Sequence, residues 1–494
     1  MITFTNKRIL VVGAGASGIA VSRLLTSLGA TVCLVDESEP KLDAVILGDL
    51  EGLGVRCCFG MDSVRDLACD LAVVSPGISK ESPLMRELLL RQVPVLSEIE
   101  AAFQCFKGRI VSITGTNGKT TTTRMIEAIL SGSDVASSSA GNIGYPFSAL
   151  VQEQPQTEWV SLELSSFQLE NISEFRSEIA VLLNLAPDHL NRHESLEDYY
   201  RAKARIFENQ RPDDVSIIQL EAKEIMDSLG CRFAGRVLTF STQDVSADLY
   251  LARGFVVSRI PGWSGIVYDI STGAIRGKHN VENVMASLLC GHAIGLSLSD
   301  IQVALSAFRT GAHRFELLPS LDGIGLVNDS KSTNPASLCA ALDAARELLS
   351  KDGRLWLLAG GEGKQLSFDS LSSLVAKHVH GLFLFGRSRH ELQSHLGASS
   401  WCFVSENLRE SIQAVFEHAR SGDIVLFSPG CASFDQFRDY VERGEYFKEL
   451  IRQRRQDLVL SGLKNRQGTA VSHRSNANGI GDQAEVGSFA LENK

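Results

Sequence analysis

The run Gly115-Thr116-Asn117-Gly118-Lys119-Thr120-Thr121 stands between an apolar strand-like segment, RIVSIT, and a helical one, TTTRMIEAIL. A glycine turn placed there exposes backbone N–H groups at a helix N-terminus, where the dipole favours anions. Glycines let the main chain approach phosphate closely, Lys119 brings positive charge to the β/γ oxygens, and Thr120 offers a hydroxyl to Mg²⁺. The pattern departs from the full G-x-x-x-x-G-K-[ST] form, because Ile113 occupies the first glycine position. A plain glycine turn with an exposed lysine is the alternative. The strand before and the helix after favour the nucleotide reading.

A metal–triphosphate site draws carboxylates from neighbouring strand ends. WVSLELSSFQLE places Glu163 late in an apolar run, where a buried carboxylate has to be paired or metal-bound to offset its desolvation. LLNLAPDHLNRH ends a second such run with Asp188 and His189. Mg²⁺ prefers oxygen, so His189 serves as a ligand only alongside several oxygens.

A second glycine loop, Gly13-Ala14-Gly15-Ala16-Ser17-Gly18, follows the strand-like RILVV and opens a helical pattern, with Asp36 ending the next strand. That is the dinucleotide fingerprint, with its acidic residue ~20 positions on. It suits an NAD-dependent dehydrogenase, yet a UDP-sugar fits the same diphosphate cradle. The independent loop at Lys119 tilts this first cradle from redox cofactor toward substrate.

The elements that must position these loops alternate strand and helix throughout, as in parallel-sheet α/β proteins. Three α/β blocks are expected: a Rossmann-like block over 1–97, a P-loop ATPase-like block over 98–310, and a second Rossmann-like block over 311–462. Three blocks suit a chain of 494 residues, at ~100–200 residues per domain. Beyond about Leu463 the apolar periodicity stops, and residues 463–494 read as a disordered tail.

The net charge of -10 argues against a nucleic-acid partner, while a small anionic ligand needs only local positive charge. None of the ten cysteines forms a C-x-x-C pair, so reduced thiols are expected rather than disulfides or zinc. The N-terminal apolar run is too short for a signal peptide, and no stretch suits a bilayer. A cytoplasmic chain without a membrane partner, monomeric in solution, is expected.

GTNGKTT, LELSSFQLE, LNLAPDHLNRH, YYRAKARIFENQ, KHNVENVMA, HRFE, NDSKSTNP and SPGCASFDQF occur in the order in which the Mur ligase family carries similar motifs. The chain resembles that family from its first glycine loop to about position 450. LELSSFQLE, SPGCASFDQF and the Rossmann-like first block point to its D-glutamate-adding branch. The alanine-adding relatives have His where Asn117 stands. Folylpolyglutamate synthetases, of the same superfamily, lack such a first block.

The resemblance implies a ligase that uses ATP and Mg²⁺ to join D-glutamate to UDP-N-acetylmuramoyl-L-alanine. By motif position, Ser17, Asp36, Glu37, Ser75, Pro76, Gly77 and Asn142 would meet the UDP-substrate. The loop from Gly115 to Thr121 would hold ATP phosphates, with Asn283 at adenine, Asp329 at ribose and Arg314 at the phosphates. Thr120, Glu163, His189 and Lys203 would serve the metal, and Lys119, His189 and Lys203 catalysis. Lys331, Thr333, Lys364, Ser433, Phe434 and Tyr440 would surround D-glutamate. Three positions depart from the family pattern: Asn191 stands for a common Asp, Gly430 for Ala, and Tyr440 for Phe.

Lys203 falls where the family carries a carbamylated lysine, a modification that turns a cation into an anionic oxygen ligand. The residues alone say otherwise: Lys203 shares the helical run RAKARIFENQ with Arg201 and Arg205, an ordinary solvated face.

Overall fold

The computed structural model describes residues 2–40, 42–60, 68–188, 192–273, 277–363, 368–397 and 401–472. Three of the residues singled out above, His189, Asn191 and Lys364, lie outside this set, as do residues 473–494.

Strands β1 (Arg8–Val12), β2 (Thr31–Asp36), β3 (Arg56–Phe59), β4 (Leu71–Val74) and β5 (Val95–Ser97) form a parallel sheet in the order β3-β2-β1-β4-β5. The period-2 geometry of a strand sends alternate side chains to opposite faces. Ile9 and Val11 accordingly pack into one core and Leu10 and Val12 into another. Both faces are covered, which is why the strand reads as a continuous apolar run.

The middle sheet contains β6 (Arg109–Thr114), β7 (Ser137–Gly141), β8 (Trp159–Glu163), β9 (Ile179–Leu182), β10 (Val215–Gln219), β11 (Arg236–Ser241), β12 (Leu249–Ala252), β13 (Phe255–Ser258) and β14 (Gly265–Asp269). Its order is β14-β13-β12-β11-β10-β9-β6-β8-β7. Strands β12, β13 and β14 pair antiparallel, an addition to the parallel pattern expected from sequence. The two-residue turn between β12 and β13 holds Arg253 and Gly254 at φ 50° and 85°, the doubly left-handed geometry that matches strand twist in tight hairpins.

The third sheet takes β15 (Glu316–Leu321), β16 (Ile324–Asn328), β17 (Leu355–Gly360), β18 (Gly381–Phe385), β19 (Trp401–Val404) and β20 (Ile424–Gly430) in the order β15-β16-β20-β17-β18-β19. Its two faces again carry separate cores, Leu355 and Leu357 in one, Trp356 and Leu358 in the other. The closing helix runs Tyr440–Ser472. Residues 463–472 therefore continue a helix, where an irregular tail was expected from composition. Once a helix is nucleated, each added residue gains a backbone bond whether or not the apolar repeat persists.

Candidate active site

The phosphate loop joins β6 to a helix over Lys119–Ser131, with Gly118 at its N-cap in the left-handed region, φ 84°. A Cβ at Gly118 would stand 2.3 Å from Asn283 Oδ1, so only glycine fits between the loop and that side chain. Asn184, just past β9, braces the loop: its Oδ1 accepts from the Asn117 N–H at 2.9 Å and its Nδ2 donates to the Asn117 carbonyl at 3.1 Å. Lys119 bends back, its Nζ donating to the Gly115 and Thr116 carbonyls at 2.9 Å each.

Glu163 ends β8, the strand beside β6, in register with Ile113. It is buried; Oε1 accepts from Asn142 Nδ2 at 3.0 Å, while Oε2 has no hydrogen-bond partner among the described residues. An orphaned buried carboxylate oxygen is costly unless a cation completes it. Thr120, also buried, stands in the first helical turn nearby and lines the same cavity. Oxygen donors of this kind fit a hard divalent cation such as Mg²⁺. Among the described residues no three His, Cys, Asp or Glu side chains cluster as a metal cage, so such a cation needs phosphate oxygens and water to fill its shell.

Lys203 corrects the solvated-face reading. It sits on the helix Leu196–Ala204 at 1% exposure, and its Nζ donates to the Gly115 carbonyl at 2.8 Å. Arg201 keeps to the exposed side, paired with Glu197. Residues two apart on a helix face different directions, so neighbouring charges say little about each other's burial. Burial, then the charge of Lys119, push the Lys203 amine well below its ordinary pKa; Asp188 and Glu163 pull the other way. An amine so placed is readily neutral, the state that reacts with CO₂.

A cavity of about 710 Å³ opens between the middle and third sheets and gathers Lys119, Thr120, Glu163 and Lys203 with Asn283, Arg314, Asp329, Lys331 and Thr333. Arg314 lies in a tight link, between His313 at φ 64° and Phe315 at φ 45°. The link is held by the Phe315 N–H to Asp329 Oδ1 at 3.0 Å, the His313 N–H to Glu316 Oε2 at 2.9 Å, and Asn328 Nδ2 against His313 Nδ1 at 2.9 Å. Burial raises the Asp329 carboxyl to about 7, against the Phe315 N–H and the Ser428 hydroxyl that donate to its two oxygens. Asn283 leans on Gly118 and donates to Asn280 Oδ1 at 3.1 Å, which puts it at the mouth of the phosphate loop.

Beside the third sheet, Lys331 Nζ stands 3.9 Å from the Tyr440 ring centroid, a cation–π contact. Ser433 is buried and Phe434 is 68% exposed; neither lines the cavity.

The first-block residues stand apart from that cavity. Asp36 Oδ2 accepts from the Ala14 N–H at 2.9 Å and so ties the glycine loop to β2. Glu37 caps the Leu84 N–H at 2.9 Å, and the Ser75 hydroxyl donates to the Gly13 carbonyl at 3.1 Å. Ser17 lies in the first turn of the helix Ala16–Ser27. Ser75 and Pro76 edge a smaller cleft with Arg192, whose guanidinium donates to the Gly77 and Ile78 carbonyls and stacks 4.4 Å from the Phe167 ring. Asn142, expected at the UDP-substrate, holds Glu163 at the rim of the main cavity instead of joining this cleft.

Sequence reading missed Asn184, Arg192 and Asn334. Asn334 Nδ2 donates to Asp188 Oδ2 at 2.9 Å, bridging the third block to the middle one. Each sits inside a motif already singled out, LNLAPDHLNRH or NDSKSTNP; the signal was the motif, but side-chain partners across the fold are not written in it.

Family models cover the chain in series: one described as the Mur ligase MurD-like N-terminal domain matches residues 7–97, the Mur ligase middle domain 113–291, and the Mur ligase glutamate ligase domain 313–431. The chain belongs to the Mur ligase family. Among curated Mur ligases, the UDP-N-acetylmuramoylalanine--D-glutamate ligase of Pelotomaculum thermopropionicum is 35% identical over 91% of this chain and 98% of its own. The protein of the same name from Geotalea daltonii is 37% identical over 90% and 97%. Solved Mur ligases share the fold at low identity: the UDP-N-acetylmuramate-alanine ligase MurC of Thermotoga maritima at TM-score 0.57 and 20% identity, over 91% of this chain and 100% of that one. The MurF ligase of the same organism, solved in complex with ADP, gives TM-score 0.57 at 15% identity, over 92% and 99%.

Proposed function

We propose that this Mur ligase adds D-glutamate to UDP-N-acetylmuramoyl-L-alanine, at the cost of one ATP, in the synthesis of peptidoglycan precursors. One observation carries the reading: a single cavity joins the phosphate loop and Glu163 of the middle sheet to Lys331 and Thr333 of the third. A nucleotide at one end and an incoming amine at the other are what an acyl-phosphate route needs. The names of the relatives supply the choice of amino acid.

In this reading the first block, 1–97, cradles the UDP-substrate at Ser17, Asp36, Glu37, Ser75, Pro76 and Gly77. The block 98–310 binds ATP and the block 311–462 D-glutamate. Lys119 leaves the loop carbonyls for the phosphates of ATP, and Arg314 adds a second cation there. The alanyl carboxylate attacks the γ-phosphorus, giving an acyl phosphate and ADP. The D-glutamate amine then adds to the acyl carbon, and the tetrahedral intermediate expels phosphate. Positioning and charge neutralisation do most of the work in such a step. Thr120, Glu163 and a carbamylated Lys203 would hold Mg²⁺, which when bound neutralises phosphate charge. The setting proposed is cytoplasmic and the working unit a monomer.

The test is ATP-dependent phosphate release with UDP-N-acetylmuramoyl-L-alanine and D-glutamate, against L-glutamate, L-alanine and meso-diaminopimelate. Release that requires D-glutamate is expected; release with another amino acid and none with D-glutamate overturns the reading.

A further inference from the structure

Among the described residues Arg443 is one of the largest fully buried side chains, at 0% exposure, and no acidic side chain there bonds to it. From the first turns of the closing helix its Nε donates to Ser330 Oγ at 3.1 Å and its Nη2 to the Ser330 carbonyl at 2.7 Å. Its Nη1 reaches the Cys431 and Ala432 carbonyls at 3.0 and 3.2 Å. Ser330 Oγ in turn donates to the Tyr440 carbonyl at 2.8 Å.

These acceptors belong to two separate loops. Ser330 precedes Lys331 and Thr333 after β16, while Cys431 and Ala432 precede Ser433 after β20. A buried cation is expensive, and breaking such a knot by removing one partner costs more than a surface contact. The planar fork fits several acceptors held at fixed angles, which the point charge of lysine does not. Gly361 yields space to the knot: a Cβ there would stand 3.1 Å from Arg443 Nη1 and 2.2 Å from the Ala432 carbonyl.

We propose that Arg443 is the positioning residue of the amino-acid site, locking the Lys331 loop and the Ser433 loop in one register. The proposal rests on the reading of those loops as the D-glutamate subsite. The guanidinium touches no substrate; it sets where the loops stand, and its charge adds a favourable potential behind them for a dicarboxylate.

The test compares KM for D-glutamate, ATP and the UDP-substrate in the wild type, Arg443→Lys and Ser330→Ala. Arg443→Lys is expected to raise KM for D-glutamate by about tenfold or more, a size that small misplacement produces, with the other two KM values within about twofold. Ser330→Ala deletes one strand of the knot, is mild enough to fold, and should raise the same KM by a few fold. Should Arg443→Lys be insoluble, Ser330→Ala decides. The inference fails if D-glutamate KM is unchanged in the folded variants, or if all three KM values rise together. A wild type that does not consume D-glutamate sinks the functional reading instead.

Discussion

Lys119 and Lys203 donate to one and the same acceptor, the Gly115 carbonyl, at 2.9 and 2.8 Å. Two ammonium groups converging on one oxygen repel, so the arrangement favours a neutral Lys203.

Carbamylation of Lys203 removes that conflict, and native mass spectrometry at neutral pH should find one CO₂ added to the chain. The adduct should vanish on acidification and be missing in Lys203→Met, with activity down at least about a hundredfold. In the unmodified chain the lowered amine pKa means the unfolded state binds the extra proton up to the ordinary 10.5. Stability should then rise with pH toward that value and lose the slope in Lys203→Met. An identical slope in denaturant melts of both proteins would contradict the assignment.

Lys119→Ala should lower turnover by about a thousandfold or more, the scale of losing a charge aimed at a transferring phosphoryl group. Binding of the UDP-substrate, measured calorimetrically, should stay near normal. Full activity in this variant refutes the nucleotide role of the loop.

Glu163→Gln keeps shape and removes the charge whose Oε2 has no partner. Without metal, the variant should melt higher, by the equivalent of about 1 kcal/mol. Its activity should fall and resist rescue by added Mg²⁺. A variant less stable than the parent would mean that the carboxylate is satisfied in the resting protein.

Asn334→Asp retains the cap on the helix Pro335–Arg346, since Oδ1 accepts from the Ser337 N–H at 2.8 Å, but turns the donor facing Asp188 into a second carboxylate. Scattering should report a larger radius of gyration, and KM for ATP should rise several fold, as like charges at contact push the two blocks apart. An unchanged scattering curve with wild-type KM would remove the bridge from any role in closure.

The sheets were legible because their strands are apolar on both faces, as RILVV and RLWLLAG show. The hairpin Arg253–Gly254 was passed over although its turn residues are plain in the sequence. The phosphate loop was legible from glycine spacing. Lys203 was not, because the carbonyl that holds its amine belongs to Gly115, distant in the chain and adjacent only once the helix Leu196–Ala204 docks. Arg443 was hidden for the same reason: an arginine in YVERGEYF looks solvated until the loops that enclose it are folded around it.

His313 and Phe315 both hold backbone angles that side-chain-bearing residues avoid, and each costs of order 1 kcal/mol or more. Arg314 is thus mounted on a wound spring, latched by Asp329, Glu316 and Asn328. Those latches hold the strain in place, so the position of the one cation that the link carries into the cavity is set by three side chains that grip the joint.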